Sequence, residues 1–164
     1  MSTSFEIPEV DLLTTGTVGP AGQRIFFIQA RRDDQVVSLR LEKVQVAALI
    51  AHLGVVLADL PPPTDLPTEL DLVEPVVAEW VVGSLGVTYD EDADRVVLVA
   101  EELVAEDEDP ARAVIRATRE QVAAFSLHGA AVVGAGRPPC SLCGQPLDPE
   151  GHVCIRLNGH RQIH

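Results

Sequence analysis

The stretch EKVQVAALIAHLGVVLADL, residues 42–60, decides the class of fold, because its apolar residues recur with the period of an α-helix. Gln45, His52 and Asp59 recur along the opposite side, so the helix is amphipathic. Three prolines, residues 61–63, follow at once and end it. The apolar face consists of Val46, Leu49, Ile50, Leu53, Val56 and Leu60.

A second stretch further along the chain resembles the first. Residues 121–125, QVAAF, match residues 45–49, QVAAL, and His52 and His128 follow the two matches at the same distance. Thr118 precedes the second match with the spacing of a capping box, in which Gln121 is its reciprocal partner. The sequence therefore predicts a second helix from Thr118 to about residue 133.

Alternating and continuous apolar runs upstream of each helix predict three strands per half. Before the first helix these are residues 10–17, 24–30 and 36–41. Before the second they are 76–88, which is either a long strand or a bent hairpin, 95–100 and 113–117. We therefore predict an α+β fold of duplicated β-β-β-α halves, which form an antiparallel sheet covered by two helices. The predicted repeats are residues 10–60 and 76–135, joined by the proline-rich connection 61–75 within a body of residues 1–136.

The charge of the chain restricts its partners. Residues 1–136 carry nine basic and 23 acidic side chains, a net charge of −14 within a total of −13. Such a surface repels phosphate backbones and acidic membranes, so it disfavours nucleic acid and membrane as partners. Arginines 137, 156 and 161 are too few to reverse this. The chain has no signal-peptide pattern and no apolar run long enough to span a bilayer, so we expect a cytoplasmic protein.

All three cysteines lie in the predicted tail, residues 137–164, within the stretch PPCSLCGQPLDPEGHVC. Cys140 and Cys143 form a C-x-x-C-G turn whose two thiolates reach one ion, and Cys154 supplies a third. The fourth ligand of a tetrahedral ion is either His152 or His160. The mixture of sulfur and nitrogen donors favours Zn²⁺, and four protein ligands make the ion structural because no position stays open for water.

Several stretches together resemble an actinobacterial family catalogued as domain of unknown function 3090. They are residues 16–19, 22–24, 42–46, 136–140, 151–154 and 158–159. The resemblance covers almost the whole chain and is most specific in the tail, which is similar to the family pattern C-P-x-C-G…G-H-x-C-P-R-x-N-G. It implies Cys140, Cys143, His152 and Cys154 as the zinc ligands, while Ser141 and Ile155 stand where the family usually has proline.

The same resemblance implies partners. Members of the family are usually encoded beside a phosphoinositide-kinase-like protein and a histidine-phosphatase-like protein. We therefore expect a non-catalytic binding or adaptor protein that acts with one of them. The alternative is a hydrolase, with either an open zinc site of Cys140, Cys143 and Cys154 and Glu150 as base, or a pocket between the two halves.

Three further features have simpler interpretations. Asp90, Asp92 and Asp94 resemble the start of a calcium-binding loop, but Arg95 stands where that loop needs glycine, so we predict an acidic hairpin turn. Residues 106–109, EDED, predict an acidic loop that a basic partner could contact. The glycine pair in residues 83–86, GSLG, predicts a bulge or bend within a strand.

His52 and His128 occupy equivalent positions on the two predicted helices. A symmetric acid/base or metal pair would use both imidazoles. Each histidine lies on the polar side of its helix, so we expect both to face solvent or a neighbouring element.

Overall fold

The computed structural model describes residues 2–20 and 22–135, and the backbone of four residues in two short strands further on. This part of the chain forms two helices and nine strands, and the predicted mixed α+β class is confirmed. The elements are β1 Phe5–Ile7, β2 Leu12–Val18, β3 Ile25–Arg32, β4 Gln35–Leu41, α1 Lys43–Ala58, β5 Val82–Asp90, β6 Arg95–Glu102, β7 Arg112–Ala117, α2 Arg119–Gly134, β8 His152–Val153 and β9 Gln162–Ile163.

The strands of the body form two sheets where we predicted one. Strands β2, β3 and β4 make an antiparallel meander, and β5, β6 and β7 make another. Strand β1, which we did not predict, extends the second sheet by pairing parallel to β7. It has only three residues, too short for an alternating pattern to identify it.

Backbone hydrogen bonds join the two sheets at both edges. The backbone N–H of Arg40 in β4 donates to the carbonyl of Trp80, just before β5, at 3.1 Å. At the opposite edge, the N–H of Val10, just before β2, donates to the carbonyl of Arg116 in β7, also at 3.1 Å. The sheets therefore enclose one core, to which both of them and both helices contribute.

The two helices pack against each other and against the sheets. Gly129 of α2 lies at the crossing, where a Cβ atom would stand 2.7 Å from Ile50 Cδ1 of α1 and 3.2 Å from Thr15 Cγ2 of β2. The buried faces include Val46, Leu49 and Leu53 of α1 and Val122, Ala124 and Phe125 of α2. Glycine at this point lets α2 approach α1 and β2 together.

The segment between α1 and β5 covers the outer face of the first sheet. The Thr14 hydroxyl donates to the carbonyl of Leu70, and a Cβ atom on Gly16 would stand 2.8 Å from Leu72 Cγ. The side-chain amide of Gln29 bonds both backbone groups of Val73. Strand β2 is therefore buried on both faces, because α2 covers one and this segment covers the other.

The third residue of each helix is a glutamine whose side chain bonds a backbone carbonyl in the other half of the chain. Gln121 Oε1 accepts from the N–H of Thr118 at 2.9 Å, which confirms the predicted capping box. Its Nε2 donates to the carbonyl of Val10 at 2.8 Å. In α1, Gln45 Oε1 accepts from the N–H of Glu42 at 2.7 Å, and its Nε2 donates to the carbonyl of Val82 at 3.2 Å. The capping glutamines thus tie each helix to a strand start in the opposite half.

Candidate functional sites

The predicted zinc ligands fall largely outside the part of the chain that the structure describes. Cys140, Cys143 and Cys154 lie outside it, as does the alternative ligand His160. His152 is described through its backbone alone, in strand β8, where it pairs with Ile163 of β9. Within the described residues, no group of three or more histidine, cysteine, aspartate or glutamate side chains could hold a metal ion. The ligand set therefore stays a prediction.

The aspartates at 90 and 94 belong to the hairpin turn between β5 and β6, as predicted. Arg116 donates to Asp90 Oδ2 at 2.5 Å, while the Asp94 carboxylate accepts from Arg119 Nε at 3.0 Å and from the hydroxyl of Tyr89 at 2.7 Å. The hydrogen bond from Arg119, followed by that from Tyr89, lowers the pKa of Asp94. Arginines thus pair with both of these carboxylates, Arg116 with Asp90 and Arg119 with Asp94.

The two candidate histidines lie in different environments. His52 is exposed on α1 and lines a pocket of about 210 Å³ between that helix and β5. His128 on α2 is half-buried and does not line this pocket. The structure therefore does not join the two imidazoles in that pocket.

Ser84 of β5 lines the same pocket as His52. The strand register shifts between Val82 and Ser84, so the predicted irregularity at the glycine pair is confirmed as a β-bulge. Gly83 is required there, because a Cβ atom would stand 2.9 Å from the backbone Cα of Leu103. The structure describes no hydrogen bond between the imidazole of His52 and the hydroxyl of Ser84, so the pocket holds both groups without joining them as a nucleophile and base.

The outward face of α1 carries exposed apolar residues beside His52 and Asp59, two residues of the predicted polar stripe. Val44 is 72% exposed and Val55 is 68% exposed. No residue between Val44 and Ala58 is charged, and most residues that face outward between these two valines are alanines. An exposed apolar helix face is typical of a surface that binds another protein.

A second site, which the sequence analysis missed, lies where two hairpin turns meet. Arg32 ends β3, Arg95 begins β6, and Arg116 lies in β7, so the chain separates them by up to 84 positions. All three line one recess of about 230 Å³ beside Glu9. The sequence offered one signal for this site, namely three arginines at or near strand ends in an otherwise acidic chain. It does not show that they lie together, because only the pairing of the strands brings them to one place. We name this site the arginine recess; its lining is Pro8, Glu9, Arg32, Ala93, Arg95 and Arg116.

The fold and these sites define an α+β protein with an acidic body that carries one apolar helix face and one arginine-lined recess. The chain belongs to the family described as "Protein of unknown function (DUF3090)", whose model matches residues 5–154. No curated protein and no solved structure matches the chain. In the part of the chain that the structure describes, neither helix has the length and apolar character needed to cross a membrane.

Proposed function

We propose that this chain is a non-catalytic, zinc-binding adaptor that binds a partner protein through the outward face of α1. The observation that carries the proposal is the charge-free exposure of Val44 and Val55 on a protein of net charge −13. Burial of such a face against a partner is favourable because it removes apolar area from water, and it does not require the desolvation of a charged lysine, arginine or carboxylate. The proposal includes a cytoplasmic location, since a reducing cytoplasm keeps three clustered cysteines reduced and available as metal ligands, and an actinobacterial origin, which the resemblance implies.

The partner is best matched by an apolar helix flanked by basic residues. The small alanine side chains between the exposed valines allow a second helix to approach closely. That helix can then pack its own apolar side chains against the valines. Glu42 and Lys43 lie at one end of the face and Asp59 at the other, and the body as a whole is acidic. A second copy of this chain brings the same negative charge, whereas a basic partner is attracted. The resemblance supplies the candidates, a kinase-like and a phosphatase-like protein.

Binding of each purified candidate, measured by calorimetry, tests the proposal. Val44→Glu should weaken the binding of one candidate by at least about tenfold, because it places a charge in the apolar contact. Glutamate in the first helical turn favours the helix, so the loss does not come from unfolding. Val77→Glu is the matched control, since Val77 is 70% exposed but lies outside α1.

Two outcomes contradict this proposal. If neither candidate binds, or if Val44→Glu binds as tightly as the native chain, the face is not the docking surface. If light scattering shows a concentration-dependent dimer that Val44→Glu abolishes, the face binds a second copy and the adaptor role is wrong.

We propose further that the tail binds one structural Zn²⁺ through Cys140, Cys143, His152 and Cys154. Three thiolates and one imidazole suit Zn²⁺ and leave no position for a reacting water. Ligation would supply folding free energy to a segment too short for its own apolar core. Metal analysis should give one zinc per chain, and His152→Ala should release it while His160→Ala should not. A protein without zinc, or zinc lost from His160→Ala alone, would refute this ligand set.

We also propose that the two β-β-β-α halves are a duplication. The order of three strands and a helix occurs twice, and both capping glutamines make the same kind of bond to the opposite half. The proposed division into a body of residues 1–136 and a tail of 137–164 would be tested by expressing residues 1–136 alone. A body that unfolds cooperatively supports the division, and one that fails to fold contradicts it.

The alternative function is a hydrolase that uses the pocket between α1 and β5. The presence of Ser84 and His52 in one pocket favours this reading over an open zinc site. A screen of ester and phosphoester substrates, repeated with Ser84→Ala and His52→Ala, decides the question. Turnover by the native chain that is lost in both single variants would support the hydrolase. If the native chain turns over no substrate faster than a variant that carries both substitutions, the hydrolase is excluded.

A further inference from the structure

The arginine recess is built by three separate parts of the chain. The β3–β4 turn brings Arg32, the β5–β6 turn brings Arg95, and β7 brings Arg116. Their side chains are between 28% and 37% exposed, so each is partly fixed but reachable from solvent. A neighbouring recess of about 200 Å³ shares these arginines and extends to Thr118 at the start of α2.

Hydrogen bonds within the protein hold one terminal nitrogen of each guanidinium. NH1 of Arg32 donates to the carbonyl of Glu9 at 2.5 Å, and NH1 of Arg95 donates to the carbonyl of Asp94 at 3.0 Å. NH2 of Arg116 donates to Asp90 Oδ2 at 2.5 Å. Because a guanidinium has five N–H donors, these bonds fix the three side chains and leave donors for a further acceptor.

The carboxylate of Glu9 lies between two of the arginines without a hydrogen bond to either. Glu9 Oε2 is 3.8 Å from Arg32 NH1, and Glu9 Oε1 is 3.7 Å from Arg95 NH2. Both distances exceed the reach of a hydrogen bond, and the Glu9 side chain is 66% exposed. Such a contact is weak and easily displaced.

Three other carboxylates, those of Asp11, Asp33 and Asp90, lie close to the arginines of the recess. Asp11, which lines the neighbouring recess, accepts from the N–H of Asp33 at 2.7 Å. The Asp33 carboxylate is 87% exposed and lies 4.0 Å from Arg32 Nε, a weak surface pair. The lining of the arginine recess therefore has three arginines and one carboxylate, while Asp90 pairs with Arg116 and Asp33 pairs with Arg32 from beside it.

We infer that the arginine recess binds a phosphate dianion, either free or as the terminal group of a small phosphate monoester, which displaces the carboxylate of Glu9. Arg32 and Arg95 flank the displaced carboxylate and match a single compact dianion with several oxygens, while Arg116 stays paired with Asp90. A dicarboxylate carries its two charges on separate groups and so matches this arrangement less well. A recess of about 230 Å³ holds a phosphate group with space beside Pro8 and Ala93 for a small substituent.

Titration of the full chain with inorganic phosphate at constant ionic strength, followed by calorimetry, tests the inference. Arg32→Gln and Arg95→Gln should each weaken phosphate binding by about tenfold or more, because a charge-assisted bond is lost. Arg112→Gln is the matched control: Arg112 forms a similar 3.7 Å surface pair, with Glu101, at the opposite end of β7. The control should leave the affinity unchanged.

Glu9→Gln separates ligand binding from a purely structural network. It keeps all three arginines and removes the competing carboxylate, so phosphate should bind several-fold more tightly. If the arginines served only to hold the turns, Glu9→Gln would lower the melting temperature and leave phosphate binding absent or unchanged. That result, or equal binding by Arg95→Gln and the native chain, would overturn the inference.

Parallel titrations with glucose 6-phosphate and succinate identify the ligand chemistry. Tighter binding of the sugar phosphate than of inorganic phosphate assigns a phosphate monoester, and the reverse order assigns the free ion. Succinate that binds more tightly than both, or the absence of saturable binding by either phosphate, would refute the inference.

Discussion

The side-chain amide of Gln29 in β3 bonds the backbone of Val73 in both directions: Nε2 donates to the carbonyl at 3.2 Å, and Oε1 accepts from the N–H at 2.8 Å. Gln29 is fully buried and also donates to Ser38 Oγ at 3.1 Å. The Gln29 side chain thus makes the two hydrogen bonds to Val73 that the backbone of a neighbouring strand would otherwise make. It fixes the connection between the two halves across the first sheet.

Replacing Gln29 with leucine should lower the free energy of unfolding by about 2 kcal/mol, because buried partners lose their hydrogen bonds. Urea denaturation measures the change, and hydrogen exchange should show faster exchange at Val73. Gln35→Leu is the control, since Gln35 is exposed in β4 and should change stability by less than about 0.5 kcal/mol. Equal effects of the two substitutions would contradict the role of Gln29.

Tyr89 is the single tyrosine of the chain, so its titration can be followed directly by ultraviolet absorbance. Its hydroxyl donates to Asp94, and this hydrogen bond raises the pKa of Tyr89 above the ordinary value of 10.0. Asp94→Asn should return the pKa of Tyr89 towards that value, because it removes the charged acceptor. Asp92→Asn, in the same turn, should not, and equal shifts in both variants would refute the assignment.

The same contacts predict how stability depends on pH. The pKa of Asp94 is lowered in the folded state, so its contribution is present above its ordinary pKa of 3.8 and is lost as the pH falls below that value. The pKa of Tyr89 is raised, so its contribution is present below pH 10.0 and is lost as the pH rises further. Urea denaturation across pH should show both losses, and Asp94→Asn should weaken both.

The two glycines of the GSLG stretch should respond differently to alanine. Gly83→Ala places a Cβ atom 2.9 Å from the backbone of Leu103, so it should lower stability by about 1–3 kcal/mol. Gly86→Ala meets nothing within 4 Å and should change stability by less than about 1 kcal/mol, if anything upwards. Thermal unfolding compares the two variants. A larger loss in Gly86→Ala would show that the bulge does not constrain Gly83.

Gln121→Glu separates the two bonds of that glutamine. Glutamate still accepts from the N–H of Thr118, but its carboxylate faces the carbonyl of Val10 without a proton to donate. We expect a loss of about 1–2 kcal/mol, although an acidic residue in the first turn normally favours a helix. Gln23→Glu, at an exposed position, controls for the added charge. An increase in stability would show that the bond to Val10 contributes nothing.

The helices were predictable because their information is local. The apolar period around Leu49 predicts α1, and Thr118 with Gln121 predicts the start of α2, since both depend on residues within one or two turns. The acidic turn at Asp90 and the bulge at Gly83 were predictable for the same reason. The zinc ligands in the tail also rest on local spacing, and they remain a prediction.

What the tertiary structure decided depends on residues far apart in sequence. Strand β1 pairs with β7 across more than one hundred residues, and the capping glutamines reach carbonyls in the opposite half. Only strand pairing places Arg32 and Arg95 around Glu9. Periodicity along one segment reports which face is apolar, but not which element covers that face. For that reason the sequence alone determined the helices and the turns and predicts the zinc ligands, while the folded chain determined the exposed face of α1 and the arginine recess.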